Sequence, residues 1–289
     1  MRPWAMVALV LAAGALALAG AAEAAPIKVG QDEIEFEPGE AACLLDPAAS
    51  KIERAVVDSQ RRGNAGLNEV LGVFVSCDRL DRLRRGRESD LGQYGILLAT
   101  LVQGELKPLA GLSRAEFLSR LEEELDRGVD MESLDLEGRM EAALEEVNEV
   151  NEVSGGVRFN NVSQLGALQR SDTALYSGLL IRLQSAGAPI EVASISGSTL
   201  LRGYMIQYSL YAPFEGESTL RGLIADLAPI MDEAVARNDG TVAKAAAKEG
   251  NPGAPGSGGS GQFSLTLVIV SAAAAGIVAI VVSFLRRSR

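Results

Sequence analysis

The sequence predicts an α+β fold in which an antiparallel sheet is sandwiched between helices (α/β/α). Several strand candidates are apolar on both faces and follow one another through short turns, which makes them antiparallel neighbours that need a cover on each side. Amphipathic helical stripes precede and follow them and supply those covers. A long uncharged apolar run lies near each end of the 289-residue chain, so the folded part is expected between a signal peptide and one transmembrane helix.

Residues 1–24 read as a secretory signal. Arg2 supplies the early positive charge, Met6 to Ala22 is apolar without interruption, and Ala22-Glu23-Ala24 is a small-x-small pattern that places cleavage after Ala24. At the far end, residues 263–285 run 23 positions without a charge and stop at Arg286, Arg287 and Arg289. At helical rise that is about 34 Å, against a hydrocarbon core of about 30 Å. The basic tail, residues 286–289, favours the cytoplasmic side. The expectation is a single-pass protein of the inner (plasma) membrane whose domain faces the periplasm or the cell exterior. Ala272 and Gly276 have the small-xxx-small spacing that would let two anchors meet as a homodimer. A glycine-rich stretch, a helix and a basic end are also the layout of tails cut by envelope sorting proteases, and that alternative stays open.

Residues 25–239 read as one domain, since no second linker interrupts them. Ile34 to Phe36 and Cys43 to Leu45 are short strand candidates around a Pro38-Gly39 turn. Asp46-Pro47 is expected to open a helix carrying Ala48, Ile52, Ala55 or Val56, and Ser59, stopped by Gly63. Val70 to Cys77 is apolar and β-branched, hence a strand. Gly92 to Val102 alternates Tyr94, Ile96 and Leu98 with Leu97, Ala99 and Leu101, so both faces are apolar.

Ser113 stands three residues before Glu116, a capping-box spacing, and Phe117, Leu118, Leu121 and Leu125 follow at helical period. Residues 137–153 carry a second stripe through Met140, Leu144 and Val147. Ala174 to Gln184 and Ile190 to Ile195 are strands; Gly197-Ser198 is read as a turn into a last strand, Leu200 to Tyr211. The closing helix, Ser218 to Arg237, repeats Leu220, Leu223, Leu227 and Met231, with Pro229 expected to kink it. Residues 240–262, rich in Ala and Lys and then in Gly, Ser and Pro, form a linker with a reach of about 25 Å.

Composition narrows the chemistry. Net charge is −11; without the three tail arginines, and with Arg2 and Glu23 cancelling, the exported part sits near −14. Such a domain is not expected to bind nucleic acid or anionic lipid. Arg outnumbers Lys and Ala and Gly abound, which suggests a bacterial envelope. Cys43 and Cys77 are the only cysteines, and in an oxidising compartment an even count reads as one disulfide. There is no histidine, which removes Ser-His-Asp and Cys-His nucleophilic sites and the commonest transition-metal ligand. Gly63 to Gly66 lacks the spacing of a phosphate loop. No catalytic, cofactor-binding or metal residues are assigned.

Two charged regions are candidate interaction surfaces. Ser113 to Val153 holds 14 acidic residues against four arginines, with Glu122, Glu123 and Glu124 on the first helix and Glu145 and Glu146 on the second. Arg82, Arg84 and Arg85 belong to a basic run just after Cys77. Either reads as a docking surface or as a solvated helix face with local ion pairs.

Phe36 to Asp46 ahead of the first helix, and a final strand Tyr204 to Tyr211 running into a long helix that ends near Asn238-Asp239, resemble the PsbP-like fold of exported accessory proteins. The resemblance spans most of Ile34 to Asp239; the acidic segment Ser113 to Val153 departs from it. It implies a non-catalytic envelope role with a protein partner and no catalytic residues to carry over. A different expectation is a small-molecule or peptide binder using a cleft beside the Tyr204-Ile206-Tyr208 face; an enzyme is the third.

Overall fold

The computed structural model describes residues 26–39, 41–88, 91–128, 138–144, 157–185 and 188–248. The expected signal with Ala24, the residues Glu145 and Glu146, and the expected anchor with Ala272, Gly276, Arg286 and Arg287 lie outside the described residues. Among the described residues no helix is long and apolar enough to cross a membrane.

The chain begins with a small hairpin, β1 (Ile27–Val29) and β2 (Asp32–Ile34), in which Ile27 pairs with Ile34. β2 therefore pairs with a strand the sequence reading did not assign, and not across Pro38-Gly39. β3 (Ala42–Leu44) belongs to the main sheet, where Cys43 lies opposite Val75 of β4 (Asn68–Ser76).

Helix α1 (Lys51–Asn64) starts four residues later than Asp46-Pro47 would place it, because Ser50 is the cap: its hydroxyl accepts from the Glu53 amide at 3.1 Å. Asp46 makes a turn instead, its carboxylate accepting from the Ala48 amide at 2.8 Å. Gly63 does not stop the helix, which continues to Asn64. Cys77 leaves β4 and opens α2 (Cys77–Arg84), capped by Ser76.

β5 (Tyr94–Thr100) is buried on both faces, as its alternation predicts. Tyr94, Ile96 and Leu98 join one core cluster and Leu97 and Ala99 the other. α3 (Arg114–Arg127) has the expected capping box at Ser113 and Glu116. Of the next helix, α4, residues 138–144 are described, and Met140, Ala143 and Leu144 enter the first cluster.

β6 (Val157–Arg170) was not expected, because its polar residues hide the period-2 signal. It is an edge strand broken by three register shifts against β7 (Leu175–Ser185), a device that blunts an edge to further pairing.

β8 (Ala188–Leu201) corrects the reading of Gly197-Ser198 as a turn: both lie mid-strand, Gly197 between Tyr176 and Tyr208 of its neighbours. Glycine is there for packing, since a Cβ would stand 2.9 Å from Met231 Cγ. The turn falls at Arg202-Gly203, with φ of 51° and 85°, the two-residue geometry that matches strand twist into β9 (Tyr204–Pro213).

The last helix, α5 (Glu217–Lys248), contains Pro229 and runs past Gly240, where the linker was expected to begin. Asn238, read from the sequence as near the helix end, is fully buried inside it. Its side chain accepts from the Glu35 amide at 3.2 Å and donates to the Glu35 carbonyl at 2.8 Å, as a neighbouring strand would.

The seven strands are ordered β3-β4-β5-β9-β8-β7-β6 and every adjacent pair is antiparallel. Residues of α1, α2, α3 and α4 cover one face, and α5 with the β1–β2 hairpin covers the other. This is the predicted α/β/α sandwich. Arg114 ties the two layers across the sheet end, reaching Asp239 at 2.6 Å and the Leu200 carbonyl at 3.2 Å.

Glu53 is 3% exposed and receives Arg84 in a two-pronged pair at 3.0 and 2.9 Å, with the Asp46 amide and the Ser50 hydroxyl completing its shell. Burial pushes its carboxyl up, but the Arg84, Asp46 and Ser50 hydrogen bonds outweigh that and hold it below the ordinary 4.5. A carboxyl lowered in the folded state adds stability that is complete above its unfolded pKa and lost as pH falls through the folded one. Glu53→Gln should therefore be less stable than wild type by about 2 kcal/mol at neutral pH, having left Arg84 without its anion. The gap should close on acidification below 4.5. Urea unfolding at a series of pH values checks this, and parallel curves would rule the pair out as the source.

Candidate functional site

α5 lies against β8 and β9, so the sheet face toward β3, β4 and β5 is left partly uncovered. A groove of about 1240 Å³ opens there. Phe74, Tyr208 and Leu210 form its floor, Ala225, Pro229 and Ile230 of α5 its wall.

The floor is shaped by two glycines within apolar strands. A Cβ at Gly72 would meet the Phe74 ring at 2.7 Å, and one at Gly95 would meet the Tyr208 hydroxyl at 2.2 Å. Each ring lies over a glycine and so stays low against the sheet. Phe36 packs edge-on against Tyr208 at 5.0 Å, and Phe74 does so at 6.1 Å. Burial pushes the Tyr208 phenol far up, so it stays protonated.

The rim is charged. Gln93 donates to Asp226 at 2.9 Å, closing one side from sheet to helix. Arg237 binds Glu233 at 2.6 Å and also Glu37, and Arg79 faces Glu88 at 3.8 Å. Of the expected Tyr204-Ile206-Tyr208 face, only Tyr208 reaches the groove. Tyr204 donates to Asp32 at 3.0 Å, tying β9 to the first hairpin, and Ile206 is core.

Among the described residues, most of the charged side chains singled out from the sequence make ion pairs within the domain. Arg82 pairs with Glu88 at 2.7 Å, Arg84 with Glu53 and Arg85 with Asp81 at 3.2 Å. On α3, Glu122 pairs with Arg170 at 2.5 Å and Glu124 with Arg127 at 2.8 Å, while the Glu123 carbonyl accepts from Arg127. None of these lines the groove. The predicted Cys43–Cys77 disulfide is present and ties β3 to the start of α2.

The core holds a row of polar groups: Ser194, Ser196, Gln207 and Ser209 are buried together at the centre of the sheet. Ser196 and Ser209 share a hydrogen bond of 2.8 Å and Gln207 donates to Ser209 at 3.2 Å. Their period-2 spacing in two adjacent strands was visible in the sequence; that the strands pair in this register was not. Among the described residues no three His, Cys, Asp or Glu side chains are placed to hold a metal ion.

Fold and groove together define a three-layer α+β domain with one disulfide and an aromatic-floored cleft under its last helix. No protein-family model matches the chain, and no curated protein matches it.

Proposed function

We propose that this chain is an exported, membrane-tethered accessory module of the cell envelope that acts by binding rather than by catalysis, and that the groove under α5 is where it binds. The groove carries the reading: an aromatic floor held by Gly72 and Gly95 with a few polar groups at the rim is the composition of sites that take small molecules or short peptides. The disulfide supports an oxidising compartment. The uncharged run of residues 263–285 supports an anchor, with Ala272 and Gly276 as a contact between two copies. The antiparallel sheet between helices and the long final helix support a PsbP-like relationship.

Ala225 is exposed on the groove wall, so Ala225→Phe fills the groove without touching the core. A thermal-shift panel of amphipathic amines, acids and short peptides should contain compounds that raise the melting temperature of the wild type and not of this variant. At a hundred times Kd the gain is about 2.7 kcal/mol, several degrees. Compounds that act equally on both proteins, or a panel that moves neither, would overturn the groove as the binding site.

A further inference from the structure

Pro229 was expected to kink α5, yet its position gives it a second consequence. Proline has no N–H, so the helical hydrogen bond that would end on the carbonyl four residues earlier is missing. That carbonyl belongs to Ala225, and Ala225 and Pro229 both line the groove. An α-helix normally offers a ligand side chains and no backbone acceptors along its flank; here the Ala225 carbonyl lacks the amide that would ordinarily occupy it, between two residues that line the groove.

The charges nearby indicate what it would accept. Glu37, Asp226 and Glu233 stand around the groove against Arg79 and Arg237, in a chain of net charge −11. Asp226 uses one carboxylate oxygen on Gln93, which leaves the other beside the wall one residue from Ala225. We infer that the groove takes a small molecule with a primary ammonium group and an apolar body, the ammonium donating to the Ala225 carbonyl and the body lying on Phe74 and Tyr208. This rests on the groove being the binding site.

The probes are 3-phenylpropylammonium and its N,N,N-trimethyl analogue, which share charge and ring but differ in N–H donors. Calorimetry on the full-length chain should show the primary ammonium binding about tenfold more tightly, the usual weight of a hydrogen bond to a charged group. Pro229→Ala supplies an N–H to the Ala225 carbonyl, so it should erase that preference; because Pro229 is part of the wall, the readout is the ratio of the two affinities and not either affinity alone. The substitution adds a helical hydrogen bond at an exposed position, and its melting temperature should rise, which separates lost binding from lost folding. If both probes bind equally, or if the preference survives in Pro229→Ala, the carbonyl is not the acceptor; sensitivity of that binding to Ala225→Phe would still support the groove. If neither probe binds, the ammonium class is wrong, and the groove reading then rests on the wider ligand panel.

Discussion

Replacing Cys43 and Cys77 together by serine should lower the stability of the domain by about 4 kcal/mol, since the bridge closes a loop with a sequence separation of 34. The loop contains β3, α1 and β4, so the reduced chain gains freedom over a contiguous part of the fold. β3 is only three residues long and lies at the sheet edge, where backbone pairing alone holds it weakly. Urea unfolding of wild type and double variant measures the difference. The native protein should also show no thiol open to alkylation. A loss under about 1 kcal/mol would mean that the unfolded chain is already compact across this loop, and that the bridge constrains little.

Gly95→Ala should have an effect of similar size. A methyl there would come 2.2 Å from the Tyr208 hydroxyl and 2.5 Å from its Cζ. The ring is 2% exposed and held edge-on by Phe36 and Phe74, so it can yield only by displacing them or by rising into the groove. Overpacking of this kind costs about 3 kcal/mol. Tyr208→Leu withdraws the ring, so in the double variant the penalty of Gly95→Ala should shrink, with a coupling above about 1 kcal/mol. Strictly additive losses in urea unfolding would show that the clash is relieved elsewhere. The single variant should also weaken groove ligands, because Tyr208 is the floor.

Gly95 marks where sequence reading stops. Its place in an apolar strand was plain, and the alternation around it correctly announced two buried faces. That a ring from β9 would lie on it depends on β5 pairing with β9, more than a hundred residues away. Gly197 misled for the same reason: glycine followed by serine is a local turn signal, and only the approach of Met231 explains a glycine inside a strand. β6 was missed because an edge strand has little need of apolar residues on its outer face, and alternation is the signal by which strands are found.

The sequence by itself determined what short-range chemistry can determine. Period-2 and period-3.6 patterns set the class and most elements, the Ser113 and Glu116 spacing set a helix start, and two cysteines left one intramolecular pairing to expect. The tertiary structure alone decided the strand order, the burial of Glu53 with Arg84, the polar row at the sheet centre and the groove under α5. These depend on which distant strands become neighbours and on where one helix fails to cover a seven-stranded sheet. Periodicity states that a face must be covered; the area left over once the covers have packed is a property of the closed fold.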